Sequence, residues 1–386
     1  MMHCGDPPLF DLTNNNTIRM FQMLIAFNEM YTIIHRHLCL FVCIFGAFLN
    51  FIHCIVLSRR NMRIYTINAL LWQMAVFDAL TMTSYAIYIM RFRLIDDENS
   101  IGYSYYWLIF LIGHVTASIA LHTGSLYLSV IMAYIRWISL DRLDAKWMNH
   151  TAIRYIFVYT CLFLTLISIP TILVHQIVPV SEVFGTNDTQ YAGLYTVQLD
   201  ETDINGCKIF RLNLWITGIM FKGLPCGLLL LFTIALIIKL YEVSEKRRLL
   251  RGETSISCAS ANASDRNVLI GIDQQARRKK AISVDKTTSM LIIMLLIFLI
   301  TELPQGLLAI LSAIYPTHVQ TFIYVYLGEL LDLLSLINCL TSFTLYSLMS
   351  STYRSTALSL FCHHRNTKKK KRTSQQTFNS LKLLLT

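Results

Sequence analysis

The sequence predicts an all-α membrane protein: a seven-transmembrane helix bundle followed by a short amphipathic eighth helix. Three observations carry that expectation. The 386-residue chain is 54% hydrophobic and only 15% charged, with a mean hydropathy of +0.50, where soluble domains carry about 25% charged residues. Seven apolar stretches lie at about 38–58, 68–90, 105–135, 153–178, 213–238, 288–314 and 321–347. Each reaches the roughly 20 residues a helix needs to cross a hydrocarbon core about 30 Å thick, and their continuous apolarity excludes the alternating strands of a barrel. Third, the formal charge of +10 is polarised. With the N-terminus outside, 26 of the 33 Lys and Arg fall on the cytosolic side and six outside, with Lys222 inside the fifth span. Basic residues favour cytosolic loops. A chain polarised in this way is not a nucleic-acid binder, and its apolar, aromatic-rich composition excludes disorder over most of its length.

The layout divides into an extracellular N-terminus (1–36), a seven-transmembrane domain (37–349), an amphipathic helix (350–362) and a cytoplasmic basic tail (363–386). The N-terminus lacks the charged, apolar and small-residue regions of a signal peptide, so the first span is expected to act as the anchor. Residues 246–286 and the tail carry the basic clusters Lys246–Arg248, Arg277–Lys280 and Lys368–Arg372. These read as solvated loops that also attract anionic membrane lipid.

Span by span, the polar residues are few and placed in order. Gly46 and Asn50 share a face of span one. Asn68 and Asp78 lie in span two, within "NALLWQMAVFDAL". Span three ends in "MAYIRWISL", with Arg136 at its boundary. Span five contains Lys222 and Pro225, span six "TELPQG" (Thr301–Gly306), and span seven "LINCLTSFTLY", ending at Tyr346. Beyond it Tyr353, Ala357, Leu360 and Phe361 recur at helical spacing, giving a helix that lies on the membrane, and Cys362 at its end is a palmitoylation candidate.

This set, in order and depth, resembles the rhodopsin-like class of G-protein-coupled receptors along the whole membrane region. The strings "VCIFGAFLN", "LSRRNM", "HTGSLYLSV", "FKGLPC" and above all "TELPQG" look like the invertebrate myosuppressin and FMRFamide-like peptide receptors, which in nematodes overlap the serpentine receptor class w. The resemblance covers about residues 30–362. There are departures. The Asp-Arg-Tyr that usually closes span three reads Ile135-Arg136-Trp137. The Asn-Pro-x-x-Tyr of span seven reads Ser342-Phe343-Thr344-Leu345-Tyr346, without the proline. Span four lacks the usual Trp. The absence of a Cys near Trp107–Gly113, by contrast, agrees with the closer family, which commonly lacks the outer Cys of span three.

The resemblance implies a plasma-membrane receptor, not an enzyme, for an extracellular neuropeptide. The peptide is expected to be amidated and FMRFamide-like or myosuppressin-like, with signalling through a heterotrimeric G protein of inhibitory type. No cofactor is implied beyond a structural sodium ion, which in this class Asp78 would hold with Ser125, Asn338 and Ser342. The alternative for Asp78 is a protonated carboxyl hydrogen-bonded to Asn50 and Asn338. Arg136 and Tyr346 match residues that rearrange when span six, hinged at Pro304, swings outward, and Arg136 would then meet the G protein.

Ionisable groups in a membrane core are functional candidates by default. Glu302, two residues before Pro304, either takes a ligand cation or remains neutral and hydrogen-bonded inside the bundle. Gln305 packs and hydrogen-bonds beside it. Glu329 and Asp332, three apart on one helical face, suit an Arg side chain, which binds carboxylate through two parallel hydrogen bonds. His122 lines the cavity, while a shared metal site with His114, eight residues away, has the wrong spacing. Lys222 pairs with an acid across the bundle, contacts the ligand or snorkels.

Two thiols, Cys4 and Cys207, face outside. They either pair or remain reactive, and a Cys4–Cys207 bond would tie the N-terminus to the second outer loop. Of the sequons, Asn15 and Asn187 are expected to be glycosylated, whereas Asn149 and Asn262 lie on the cytosolic side. A chemosensory receptor for a small molecule is the alternative on the same fold. Ile135 and the missing span-seven proline also allow a receptor-like binding protein that couples weakly. A seven-span transporter or intramembrane enzyme lacks support, because no internal repeat, membrane Asp pair or His-rich motif is present.

Overall fold

The computed structural model describes residues 7–95, 102–141, 149–184, 193–199, 208–258 and 267–360. Seven long helices form the bundle: α1 (Asn15–Leu57), α2 (Thr66–Tyr88), α3 (Tyr105–Asp141), α4 (His150–Leu173), α5 (Lys208–Cys258, with a π turn at Thr217–Gly223), α6 (Asn267–Ile314) and α7 (Val325–Met349). An eighth, α8, covers 351–360. Six of the long helices are long and apolar enough to cross a membrane by themselves. The seventh, α2, is 23 residues long and buries Asn68, Gln73 and Asp78 between its neighbours. The ring closes with α1 against both α2 and α7, while α3 runs through the middle against α2, α4, α5 and α6.

Local signals set the helix ends. The Asn14 side chain accepts from Asn16 N at 2.9 Å and opens α1, preceded by Asp11, whose carboxyl the Thr13 hydroxyl and amide hold below its usual range. Asn149 caps α4 by accepting from Ala152 N at 2.8 Å, which gives this sequon a structural role. Ser350, in extended conformation, ends α7, and its hydroxyl accepts from Tyr353 N at 3.2 Å to start α8.

Several boundaries differ from the sequence expectation. Helix α1 begins at Asn15 rather than near residue 38, because its first turns have contacts of their own: Phe21 is buried against Phe322 and Phe10, with ring centroids 5.1 Å and 5.2 Å apart. Residues 15–36, within the segment expected to be the extracellular N-terminus, are therefore part of the first helix. The fourth span was expected to reach residue 178 but ends at Leu173, because β-branched Ile177 and Val178, followed by Pro179, pair as a strand. That strand, β1 (His175–Pro179), runs antiparallel to β2 (Tyr195–Leu199), and the hairpin is joined to the start of α3 through Tyr103 and Tyr195. The segment 246–286 was read as a solvated loop, yet α5 runs on to Cys258 and α6 starts at Asn267. The runs Lys246–Arg251 and Gln274–Ala281 within it consist of good helix formers.

The main hydrophobic core lies towards the Arg136 end of the bundle, around Leu70, Leu128, Met132, Leu236, Met294 and Leu295. A smaller cluster joins α1, α2 and α7 through Cys39, Cys43, Met82 and Leu336. Cys4, Cys207, Asn187, Asn262, Phe361, Cys362 and the tail 363–386 lie outside the described residues.

Candidate functional site

At mid-depth, polar side chains from three helices meet on one carboxylate of a fourth. Glu302 on α6 is 0% exposed. Its Oε1 accepts from His122 Nε2 of α3 at 2.8 Å and from Asn338 Nδ2 of α7 at 3.0 Å, while Oε2 accepts from Lys222 Nζ of α5 at 2.9 Å. Lys222 also donates to Gln305 Oε1 at 2.7 Å, and the Ser335 hydroxyl reaches the same oxygen at 3.0 Å. Burying a charge is costly unless it is paired and hydrogen-bonded, and here the carboxylate and the ammonium satisfy each other. Of the roles expected for Lys222, pairing with an acid across the bundle is the one the structure displays; Glu302, expected to take a ligand cation or to stay neutral, is instead the carboxylate of that pair.

The local backbone explains how Lys222 gets there. Pro225 has no N–H, so the Phe221 carbonyl loses its normal helical donor. The Thr123 hydroxyl donates to Phe221 O at 3.3 Å, and the Tyr127 hydroxyl to Met220 O at 2.7 Å. The helix relaxes into the π turn Thr217–Gly223, a form common at functional positions. Gly218 lets this turn approach α6 closely, because a Cβ there would sit 3.0 Å from Ala309 O.

Above this network lies a cavity of about 70 Å³ whose lining includes Tyr85, Ser118, His122, Lys222, Gln305 and Asp332. It has room for a few waters. Asp332 Oδ2 accepts from the Tyr85 hydroxyl at 2.9 Å. Glu329, expected to act with Asp332, is turned to the chain itself: it forms an ion pair with Arg93 and accepts from the Thr32 hydroxyl at 2.8 Å. The two carboxylates are thus divided, and only Asp332 lines the cavity. His114 is stacked on Tyr88 with centroids 5.0 Å apart, and Tyr85 and Phe110 also flank it.

Asp78, one layer deeper, accepts from the Ser125 hydroxyl at 2.8 Å. The other expected partners bond elsewhere. Asn338 gives its amide to Glu302, Ser342 points its hydroxyl to Met294 Sδ at 3.7 Å, and Asn50 clamps α1 to α7 by donating to Cys339 O at 3.0 Å. The oxygens Asn50 Oδ1 and Asn338 Oδ1 are buried with no hydrogen-bond donor among the described residues.

At the far end, Arg136 is half-buried, and its Nε has no hydrogen-bond partner among the described residues. Ile135 beside it packs into the core. Tyr346 is buried beside His53 and Tyr353, with ring centroids 5.9 Å and 6.1 Å away, and His53 Nδ1 lies 2.9 Å from the Tyr353 hydroxyl.

Tyr85, Arg93, Ser335 and His53 were not singled out from the sequence. Tyr85 follows Asp78 by seven residues and Ser335 follows Asp332 by three, spacings that place each pair on one helical face. Arg93 reads from the sequence as an outer-loop charge, whereas His53, set among Phe51, Ile52, Cys54 and Ile55, has the apolar contrast that marks a buried polar group.

Residues 35–364 match the family model described as serpentine type 7TM GPCR chemoreceptor Srw. The chain is also similar to the "G-protein coupled receptor dmsr-1" of Caenorhabditis elegans, at 30% identity over 354 residues, covering 87% of this chain and 69% of that protein.

Proposed function

The chain belongs to the Srw family of seven-transmembrane G-protein-coupled receptors, and from that premise we propose that it is a receptor for an extracellular, amidated cationic peptide of the FMRFamide or myosuppressin type. As a member of that family it is a multi-pass plasma-membrane receptor, not an enzyme. The observation that carries the peptide reading is Asp332, a carboxylate on the wall of the cavity whose one described hydrogen bond comes from the neutral Tyr85 hydroxyl. A guanidinium or amine entering from the hairpin end would find an acceptor there that Glu302, already paired, does not offer.

The N-terminus lies outside, a reading supported by the 26 basic residues on the opposite side. Activation is a population shift, in which a ligand that binds the active arrangement better draws the equilibrium toward it. Gln305 and Lys222 line the cavity and also belong to the Glu302 network, so a ligand that draws on either loosens the hold of α3, α5 and α7 on α6, which hinges at Pro304. At the inner end Arg136 meets the α subunit of a heterotrimeric G protein, of inhibitory type by resemblance. For a sodium ion, Asp78, Ser125 and the donorless oxygens of Asn50 and Asn338 offer the oxygen ligands a hard cation takes. Bound there, the ion would supply positive charge opposite Asp78 and favour the resting arrangement.

A screen of amidated peptides in cells, repeated with Asp332→Ala and Glu302→Gln, tests the reading. The expected result is activation by an Arg-containing peptide, with potency lost in Asp332→Ala and basal signalling altered in Glu302→Gln. The second reading, a small chemosensory ligand, draws on the modest cavity of about 70 Å³. Activation by a small neutral odorant, with no response to any cationic peptide, would establish it instead.

A further inference from the structure

One helical turn above Asp332, the second carboxylate of α7 is already taken. Arg93 sits in the π turn Ile89–Ile95 that continues α2 and forms an ion pair with Glu329. Glu329 uses both oxygens: Oε1 meets Arg93, and Oε2 accepts from the Thr32 hydroxyl of α1 at 2.8 Å. The Asn28 amide donates to Tyr326 O at 3.0 Å and ties α1 to the start of α7. Arg91, two residues before Arg93, is committed to α3 instead, its guanidinium 4.9 Å from the centre of the Trp107 ring. The Arg93–Glu329 pair is not sealed in the core, since its side chains are 26% and 18% exposed.

The charges around Asp332 are therefore matched in pairs. Lys222 and Arg93 are the cations whose charge reaches Asp332, and each already holds a glutamate, Glu302 and Glu329 respectively. The acid left over is Asp332, with the neutral Tyr85 hydroxyl as its one described donor. Glu329 lies three residues before it, on the same helical face and about 5–6 Å away between Cβ atoms. An extended peptide sets side chains two residues apart on one face, about 6–7 Å from each other. Two arginines so spaced match the two acids, but the second of them meets the like charge of Arg93 before it can reach Glu329. Discrimination often rests on such a repulsive element as much as on an attractive one. We propose that Arg93 is a specificity-determining residue of the ligand site: by occupying Glu329 it restricts the site to ligands with one cationic side chain and disfavours those with two. This assignment rests on the cationic-peptide reading and narrows it.

Calorimetric titration of the purified full-length receptor in detergent tests the assignment with two probes. One is the amidated peptide Arg-Met-Arg-Phe; the other has citrulline in place of its leading arginine, which keeps the shape and removes the charge. The quantity read is the ratio of their affinities within each protein, so a general loss of stability or binding in a variant cancels. The wild-type receptor is expected to show no preference for the doubly charged peptide. Arg93→Gln, which uncovers Glu329, should prefer it by about tenfold or more, the gain expected of one added charge-assisted contact. Arg93→Gln/Glu329→Gln should lose that preference, and Arg93→Lys, which keeps a cation on Glu329, should match the wild type. A tenfold preference already present in the wild type overturns the proposal. So does a ratio unchanged in Arg93→Gln, or a preference that survives the loss of Glu329; in these cases the peptides bind and the peptide reading stands. Binding of neither peptide to any of the four proteins overturns the FMRFamide-type reading and the assignment with it.

Discussion

Lys222 Nζ lies 2.9 Å from Glu302 Oε2, and the carboxylate it meets is wholly buried. Removing one partner of a buried pair strands a charge and typically costs about 3–5 kcal/mol, while replacing both is far milder. Lys222→Met is therefore expected to lower the thermal midpoint of the detergent-solubilised receptor sharply, and Lys222→Met/Glu302→Gln to recover most of it. A midpoint unchanged in the single variant would show that the pair contributes nothing.

Asp332 is the cavity carboxylate whose one described hydrogen-bond donor is neutral. Asp332→Asn keeps the size and the bond to Tyr85 but removes the charge. Hydrogen bonds to charged groups are worth about 1.5–3 kcal/mol, so the half-maximal concentration for a cationic peptide should rise by about 10- to 100-fold. Glu329→Gln, which alters the outer pair with Arg93, should shift potency much less. A dose–response series on surface-labelled cells reads both, and equal shifts would mean that the two acids act as one site.

The outline of this fold was legible, and its pairings much less so. Seven continuous apolar runs and a polarised set of Lys and Arg declare seven spans. The runs do not declare that His175–Pro179 leaves the helix to become a strand, because a strand in an apolar stretch has the same composition as a helix end. Lys222 and Glu302 were visible singly, as charges in hydrocarbon. Their meeting depends on the π turn Thr217–Gly223, which shifts the phase of α5, and only Pro225 hints at it. Glu329 and Asp332 look like one acidic pair from their spacing of three. Arg93, across the bundle, separates them, and spacing along one helix carries no information about a residue 236 positions away.

Two glycines of α5 should respond oppositely to the same change. Gly218→Ala sets a methyl 3.0 Å from Ala309 O, a backbone atom that cannot turn aside, so α5 must move off α6 at a cost of about 1–3 kcal/mol. Gly227→Ala meets nothing within 4 Å and gains helix propensity of about 1 kcal/mol. Thermal midpoints should fall for the first and hold or rise for the second.

The bond between His53 Nδ1 and the Tyr353 hydroxyl, at 2.9 Å, ties α8 to α1. Tyr353→Phe keeps the ring beside Tyr346 and Phe343 and removes that one bond, worth about 1 kcal/mol. Amide exchange in 351–360 should accelerate severalfold, by the same energy, while α7 is unchanged. Exchange at the wild-type rate would mean that ring packing alone holds α8.

Ile135 occupies the position where a carboxylate would face Arg136, and it is buried in the core instead. Arg136 therefore has no acid beside it on α3 to hold it in the resting state, and its Nε is without a hydrogen-bond partner among the described residues. Under the proposed activation, in which α6 swings outward, Ile135 supplies no charge to hold Arg136 at rest, so basal signalling should be appreciable. Ile135→Asp introduces the missing charge next to a half-buried guanidinium, where a partly buried pair is worth more than the ~1 kcal/mol of an exposed one. The expected outcome is lower ligand-free nucleotide exchange on the G protein, with peptide affinity little changed, measured in membranes with receptor density matched. Ile135→Asn, of similar size and without charge, separates the electrostatic effect from lost packing: it should leave basal exchange near the wild-type level. If both variants lower it equally, the Ile135 side chain acts through the core and not through the arginine.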